Sequence, residues 1–338
     1  MRQTSNRYTK DQPLPRPLRI PQKLVLRARV YPGDLLMLTS AIRDLHLAYP
    51  DHFVTDVDTT CRQIWQHNPY IERVDRARTH RYIDLGYPPY SHEEMHPRHL
   101  TTRYHDSLGE ELGVRIPVTE KRGEVYLSAE ERDPGFITSL NLIRPYWVII
   151  AGGKYDTTTK WWNPAYFQQV VDELKTTINF VQCGAASDWH LALKGVSNLV
   201  GQTDIRKLIG VIFHADGVLC PITFAMHLAA AVPVVNEKHR SCVVLVGGRE
   251  TPSLIQYPNH NLLTVIGQLG CCRKKGCWRY VCQETHVRQR IDSRCELPIQ
   301  VSESLKIPLC MEIITPTHVV EMILRSYPAH GPDLVTIL

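Results

Sequence analysis

Four groups of residues in this sequence have the types and spacing to do chemistry. Tyr31-Pro32-Gly33-Asp34 puts a carboxylate in the turn between an apolar run and a helical pattern. There Asp34 could take the proton from an attacking hydroxyl, and capping a helix that begins at Leu35 is its competing role. Ala151 to Trp162, AGGKYDTTTKWW, again follows an apolar run. Gly153, like Gly152, would let a ligand approach the backbone, and Lys154, Lys160 and the hydroxyls of Thr157 to Thr159 could bind a pyrophosphate. The spacing matches neither a Walker loop nor a dinucleotide fingerprint, so a plain turn competes with that role. In DGVLCPITFAMHLAAAVPVV a strand ends and a helix starts near Phe224, so the amides around Thr223, Phe224 and Ala225 form an anion site that suits a diphosphate. Met226 reads as core, and His227 as either core or a donor contact. Gly184, at the end of INFVQCG, completes the donor-side candidates.

The fourth group is made of cysteines. Of ten in the chain, Cys61, Cys183, Cys220 and Cys242 are scattered among apolar residues and read as buried thiols, while six crowd between Cys271 and Cys310. Four residues separate Cys272 from Cys277, 17 separate Cys277 from Cys295, and 14 separate Cys295 from Cys310. Brought together, these four thiolates suit a structural zinc or iron, with Cys271 or Cys282 able to substitute. Between Arg273 and Arg294 the chain is too poor in apolar residues to fold by burial alone, and in a reducing compartment the missing cross-link is a metal before it is a disulfide.

Positioning these groups takes two series of alternating strands and helices. Lys23–Val30 reads as a strand, followed by a helix with apolar positions Leu35, Leu38, Ile42, Leu45 and Leu47. HFVTDVD, a short helix in CRQIWQHNPYIERV, and RYIDLGYP continue the first series. The second begins with YWVIIAGG and runs through PAYFQQVVDELK, INFVQCG, IRKLIGVIFHA, DGVLC, TFAMHLAAAV, PVVNE and SCVVLVGG, and a last helix starts at Pro316. Such alternation implies parallel sheets covered by helices, with ligands beyond the carboxyl ends of the strands. The expected divisions are a basic, Pro-rich tail over 1–22, a domain over 23–143, and a second over 144–338 that contains the cysteine segment 269–312. At 338 residues, two cores are the default.

Composition excludes some classes. With 43% hydrophobic and 22% charged residues the chain is an ordinary globular protein, and no apolar stretch is long enough to span a bilayer. The N-terminus lacks the apolar core of a secretory signal, which places the protein in the cytoplasm. A net charge of +5 does not by itself argue for nucleic acid. The charge is unevenly spread, however. Residues 1–30 hold eight Lys/Arg against Asp11, and residues 273–295 hold seven against Glu284 and Asp292.

The order of these elements resembles the family 9 glycosyltransferases over most of residues 23–265. The resemblance rests on the GD turn, on HNPYIERV, on GGK followed by Lys-Trp, and above all on ADGVLCPITFAMHLAAAVPVV, which keeps Ala215, Asp216, Thr223, Met226, His227 and the alanine run. Ile222 and Phe224 stand where that family has Asp and Gly. The resemblance implies an α/β chain of the GT-B type, two Rossmann-like doubly wound domains facing a cleft, with the cysteine segment added. It further implies inverting sugar transfer from a nucleotide-sugar such as ADP-heptose without a catalytic metal. Asp34 would be the base, Lys160 would bind donor phosphate, and the Thr223 to Ala225 amides, with His227 beside them, would hold the diphosphate. Gly33, Gly153, Lys154, Thr157, Gly184 and Met226 would line the donor side. A cysteine-bound iron resembles that of the family members that glycosylate autotransporter adhesins. The acceptor is open among a glycan, a protein and a modified base in DNA, and so is homo-oligomer formation. The alternative is a GT-B-derived binding protein that contacts nucleic acid or protein through its basic segments.

Overall fold

The computed structural model describes residues 20–78, 81–87, 98–234, 240–273 and 275–326. All but the end of the expected 1–22 tail, and most of the PVVNE strand, lie outside the described residues. The chain divides into a unit over Met1–Tyr126 and a unit over Leu127–Leu338.

In the first unit, strand β1 (Gln22–Ala28) lies between β2 (Phe53–Thr59) and β3 (Arg81–Asp84), parallel to both. Leu24, Val25 and Leu26 are fully buried, as a central strand covered on both faces requires. Helix α1 (Pro32–Ala48) packs on α2 (Leu100–Leu112), whose end is set by Gly113 in the left-handed region at φ 70°. Leu35, Leu38, Ile42 and Leu45 form the buried face of α1, but Leu47 is exposed. The helix expected after β2 shrinks to one 3-10 turn, Arg62–Trp65, because Pro69 follows closely and bars a longer run.

The second unit opens with two one-turn helices, α3 (Ala129–Arg132) and α4 (Gly135–Thr138). Parallel strands β4 (Tyr146–Ile149), β6 (Asn179–Gln182), β8 (Ser197–Asn198), β9 (Gly217–Pro221), β10 (Ser241–Gly247) and β11 (His260–Thr264) form one sheet in the order β11-β10-β9-β4-β6-β8. A small antiparallel pair joins β5 (Gly152–Gly153) to β7 (Trp189–His190). Helices α5 (Pro164–Leu174), α6 (Ile205–His214), α7 (Phe224–Ala231) and α8 (Pro252–Ile255) connect the strands. A hairpin of β12 (Pro298–Ser302) and β13 (Leu305–Pro308) then leads into α9 (Leu309–Glu312) and α10 (Pro316–Ser326). Trp147, Ile149, Phe167, Val170, Leu219 and Val243 sit at the centre of the core between sheet and helices.

The units divide well before the expected position at 143. Residues after Leu127 pack onto α6: Ser128 and Glu131 close a capping box, Glu131 accepts from Arg206 Nε at 2.8 Å, and Phe136 stacks on His214. At the far end of α7, the buried guanidinium of Arg240 donates to the carbonyls of Phe213, Ala215, Ala229, Val232 and Pro233, which are the last carbonyls of α6 and α7 and those just beyond them. Burial lowers its pKa to about 10. No helix among the described residues is long and apolar enough to cross a membrane.

Candidate functional site

In the first unit the base candidate stands in the first turn of α1. The helix begins at Pro32 rather than Leu35, and its N-cap position is Tyr31, which makes no side-chain cap bond. Asp34 is therefore not the N-cap residue. Its half-buried carboxylate accepts a hydrogen bond from the Tyr104 hydroxyl of α2 at 3.0 Å. Burial, and then the Asp34 charge, push the Tyr104 phenol far above its ordinary range, so it stays a donor to the carboxylate. Gly33 precedes Asp34 inside the same turn. An Asp-x-Asp pair, Asp56-Val57-Asp58, lies on β2, where Arg62 holds Asp56 at 3.1 Å and Arg29 holds Asp58 at 2.9 Å.

In the second unit the loop after β4 differs in detail from its expected use. A side chain at Gly152 would strike the Trp189 carbonyl and then the His190 ring, one at Gly184 the His190 ring, and one at Gly153 would crowd Trp161, so these glycines make room for the chain's own backbone and rings. The threonine hydroxyls are committed as well. Thr157 donates to Asp156 and Thr159 to the Arg279 carbonyl, while Thr158 donates to the Gln283 carbonyl and accepts from the amides of Cys282 and Gln283. Of the two loop cations, Lys160 lies 3.2 Å from the buried Glu250. Lys154 lies near Asp188, whose carboxyl is raised by burial and lowered in part by that charge.

Thr223 takes the N-cap position of α7 with extended backbone (φ −141°, ψ 178°), yet its side chain makes no cap bond. Its Oγ1 is buried and hydrogen-bonds to no described residue, a costly state for a hydroxyl. Phe224 is half-buried, while Ala225 and Met226 belong to the core. His227 is nearly buried, with Nδ1 2.7 Å from the Tyr257 hydroxyl, a partner the sequence reading missed.

All ten cysteines are free thiols, and Cys61, Cys183, Cys220 and Cys242 are buried as expected. Cys271, Cys277, Cys295 and Cys310 line one small cavity together with Arg249 and Arg279. Cys272 does not line it: its buried thiol points to the carbonyls of Val265 and Leu269, each at 3.5 Å, and Cys271 stands in its place. Burial pushes the thiols of Cys271 and Cys310 up to about 11 and about 12. A hydrogen bond with Cys282 instead holds Cys295 below the ordinary thiol range. Among the described residues no three His, Cys, Asp or Glu side chains stand close enough to hold an ion. Four sulfur donors around one cavity are nonetheless the donor set that soft metals take.

Residues 75–235, just under half of the chain, match the model of glycosyltransferase family 9 (heptosyltransferase). Over those residues the chain is similar to the family 9 glycosyltransferases. Its solved structural relatives include ADP-heptose lipopolysaccharide heptosyltransferase II of E. coli, with a TM-score of 0.64 at 15% identity, covering 90% of this chain and 98% of that one. A family 9 glycosyltransferase of Veillonella parvula aligns with a TM-score of 0.62 at 15% identity over 90% and 97% of the two chains. The iron-containing dodecameric glycosyltransferase TibC of enterotoxigenic E. coli gives 0.61 at 14% identity over 93% and 78%. These likenesses establish the fold as GT-B type, built on parallel α/β sheets. No curated protein sequence matches the chain. The matched segment contains the loop with Lys160 and the start of α7, while β1, β2 and Asp34 precede it.

Proposed function

We propose that this glycosyltransferase moves a heptose from ADP-heptose to an acceptor hydroxyl with inversion at the anomeric carbon. The first unit supplies the acceptor side and the second binds the nucleotide-sugar. Asp34 takes the proton of the acceptor hydroxyl as its oxygen forms the new bond to the anomeric carbon. The bond to the donor's phosphate oxygen breaks on the opposite side, and both electrons of that bond leave with the ADP. Lys160 and the amides at the start of α7 receive the charge that develops on the diphosphate. The heptosyltransferase name of the family model supports the sugar, and a TibC structure in complex with ADP-D-beta-D-heptose supports the nucleotide.

One observation carries the donor reading: at the N-cap of α7 the buried Thr223 hydroxyl hydrogen-bonds to no described residue. A phosphate oxygen arriving there would satisfy the hydroxyl and the helix amides together. Thr223→Val keeps the shape and removes the donor. It should weaken ADP binding by ~10- to 100-fold, the size of one hydrogen bond to a charged group, with little change in melting temperature. Unchanged ADP affinity in a calorimetric titration would remove α7 from the donor site.

The cysteine cavity is proposed as a structural site for iron or zinc held by Cys271, Cys277, Cys295 and Cys310, in a protein of the reducing cytoplasm. When bound, the metal supplies a cross-link for a segment with few core residues and takes no part in transfer. Metal analysis of the purified protein should then find about one ion per chain. Cys277→Ser should lower metal content and melting temperature together, while Cys61→Ser should leave the metal in place.

A further inference from the structure

Glu250 lies between two cations. On one side Lys160 Nζ is 3.2 Å from its Oε1. On the other, the Arg249 guanidinium contacts the same oxygen. Arg249 is itself buried, with its guanidinium carbon 5.3 Å from the ring centroid of Trp278 and 4.6 Å from that of Tyr280, and with Nε donating to the Arg279 carbonyl at 2.8 Å. Trp278, Arg279 and Tyr280 all belong to the cysteine-rich segment. That segment also holds the loop N-terminal to Lys160. The Tyr280 carbonyl accepts from the Thr159 amide at 3.2 Å, Thr158 bonds to Cys282 and Gln283, and the side chains of Thr285 and Gln289 donate to the Tyr155 carbonyl at 3.1 and 2.7 Å.

A lysine on a four-carbon stem has many rotamers, and holding its ammonium in one place costs entropy unless a partner fixes it beforehand. A buried carboxylate anchored by a caged arginine is such a partner. The two cations exceed the one carboxylate by a single positive charge, so an arriving diphosphate is attracted to the cluster rather than repelled.

We propose that Glu250 is a positioning residue for Lys160, and that the cysteine-rich segment is the frame which fixes Glu250 and the loop so that the ammonium is already aimed at the donor diphosphate. This rests on the reading of Lys160 as a diphosphate ligand. The sign of the effect separates positioning from simple neutralisation. If Glu250 only cancelled the lysine charge, losing it would tighten anion binding; if it aims the ammonium, losing it weakens binding.

The test is calorimetric titration of the full chain with ADP, using Lys160→Ala, Glu250→Gln, the double variant and Thr158→Val, with melting curves for each. Positioning predicts that Glu250→Gln weakens ADP binding by ~3- to 10-fold and that the double variant binds no more weakly than Lys160→Ala alone, since coupled residues are not additive. Should Glu250→Gln fail to fold, Thr158→Val, which frees the loop from the cysteine-rich segment, must weaken ADP in the same non-additive way with Lys160→Ala. Tighter or unchanged ADP binding in the folded variants, or an additive loss in the double variant while Lys160→Ala alone weakens binding, overturns the proposal. ADP affinity unaffected by Lys160→Ala removes the donor reading of the loop, and the proposal with it.

Discussion

Two aspartates ten positions apart on α1 show how differently one helix can use the same side chain. Asp44 is sealed. His105 Nε2 lies 2.8 Å from its Oδ2, the Thr119 amide and hydroxyl donate at 3.0 and 2.5 Å, Arg43 Nε donates at 2.8 Å, and neither the Asp44 nor the His105 side chain is exposed. Asp34 is half-buried and accepts from the neutral Tyr104 phenol. Burial alone would raise the Asp44 carboxyl, but hydrogen bonds from His105, Arg43 and Thr119 outweigh it and hold the group well below the carboxylate range. A carboxylate whose lone pairs are filled by fixed donors is a structural tie. A half-buried carboxylate beside a neutral phenol is a different environment, and it is the one that the proposed role of Asp34 as base calls for.

The largest effect should come from breaking the sealed site. Asp44→Ala removes the acceptor shared by His105, Thr119 and Arg43, leaving the buried Arg43 the Glu124 carboxylate at 3.2 Å, and should cost ~3 kcal/mol in urea unfolding at neutral pH. The pH dependence has a definite sign. Because the folded-state pKa of Asp44 is depressed, its contribution is fully present above the unfolded value near ~4 and is lost as pH falls below it. Acidification should therefore narrow the gap between native protein and variant, and a gap that stays constant from pH 7 to the acid transition would remove Asp44 as its source. Next in size, Asp34→Asn should lower transfer by ~10² or more, about 2.7 kcal/mol, with unfolding and ADP affinity nearly unchanged. Full activity in that variant would leave Asp34 no closer to the chemistry than Asp44. The smallest change is Tyr104→Phe, which removes one hydrogen bond to Asp34 and should cost ~1 kcal/mol, seen as a few-fold fall in transfer. A loss as large as that of Asp34→Asn would mean that the phenol, rather than the carboxylate, carries the proton.

Much of this was legible in the sequence because it is local. The strand-turn-helix around Asp34, the helix starting at Phe224 and the run of parallel strands follow from apolar periodicity over a few residues. What escaped is what the chain brings together from afar. Tyr104 is 70 positions from Asp34, Tyr257 is 30 from His227, and Glu250 reaches Lys160 only through the fold. No spacing rule marks such partners. The loop glycines show a related point: a glycine-rich turn reads the same in sequence whether or not its space is taken by the chain's own His190 and Trp161. Likewise Cys271 and Cys272 are equivalent in spacing, and only the 3-10 turn Gly270–Cys272 decides which thiol meets the cavity and which turns to backbone carbonyls. The division at Tyr126 escaped because affinity for α6 is a packing property of the folded unit.

The clamp that Arg240 makes on the last carbonyls of α6 and α7 has a consequence at the opposite end of α7. A short helix held by its tail behaves as a fixed spoke: it cannot roll or slide when charge arrives at its tip. The guanidinium also screens the negative pole of the helix, so the positive pole at Thr223 is less offset than in a helix with an open end. If the donor diphosphate binds there as proposed, the site is in place before its ligand comes, and no work is done turning dipoles as the phosphate group departs.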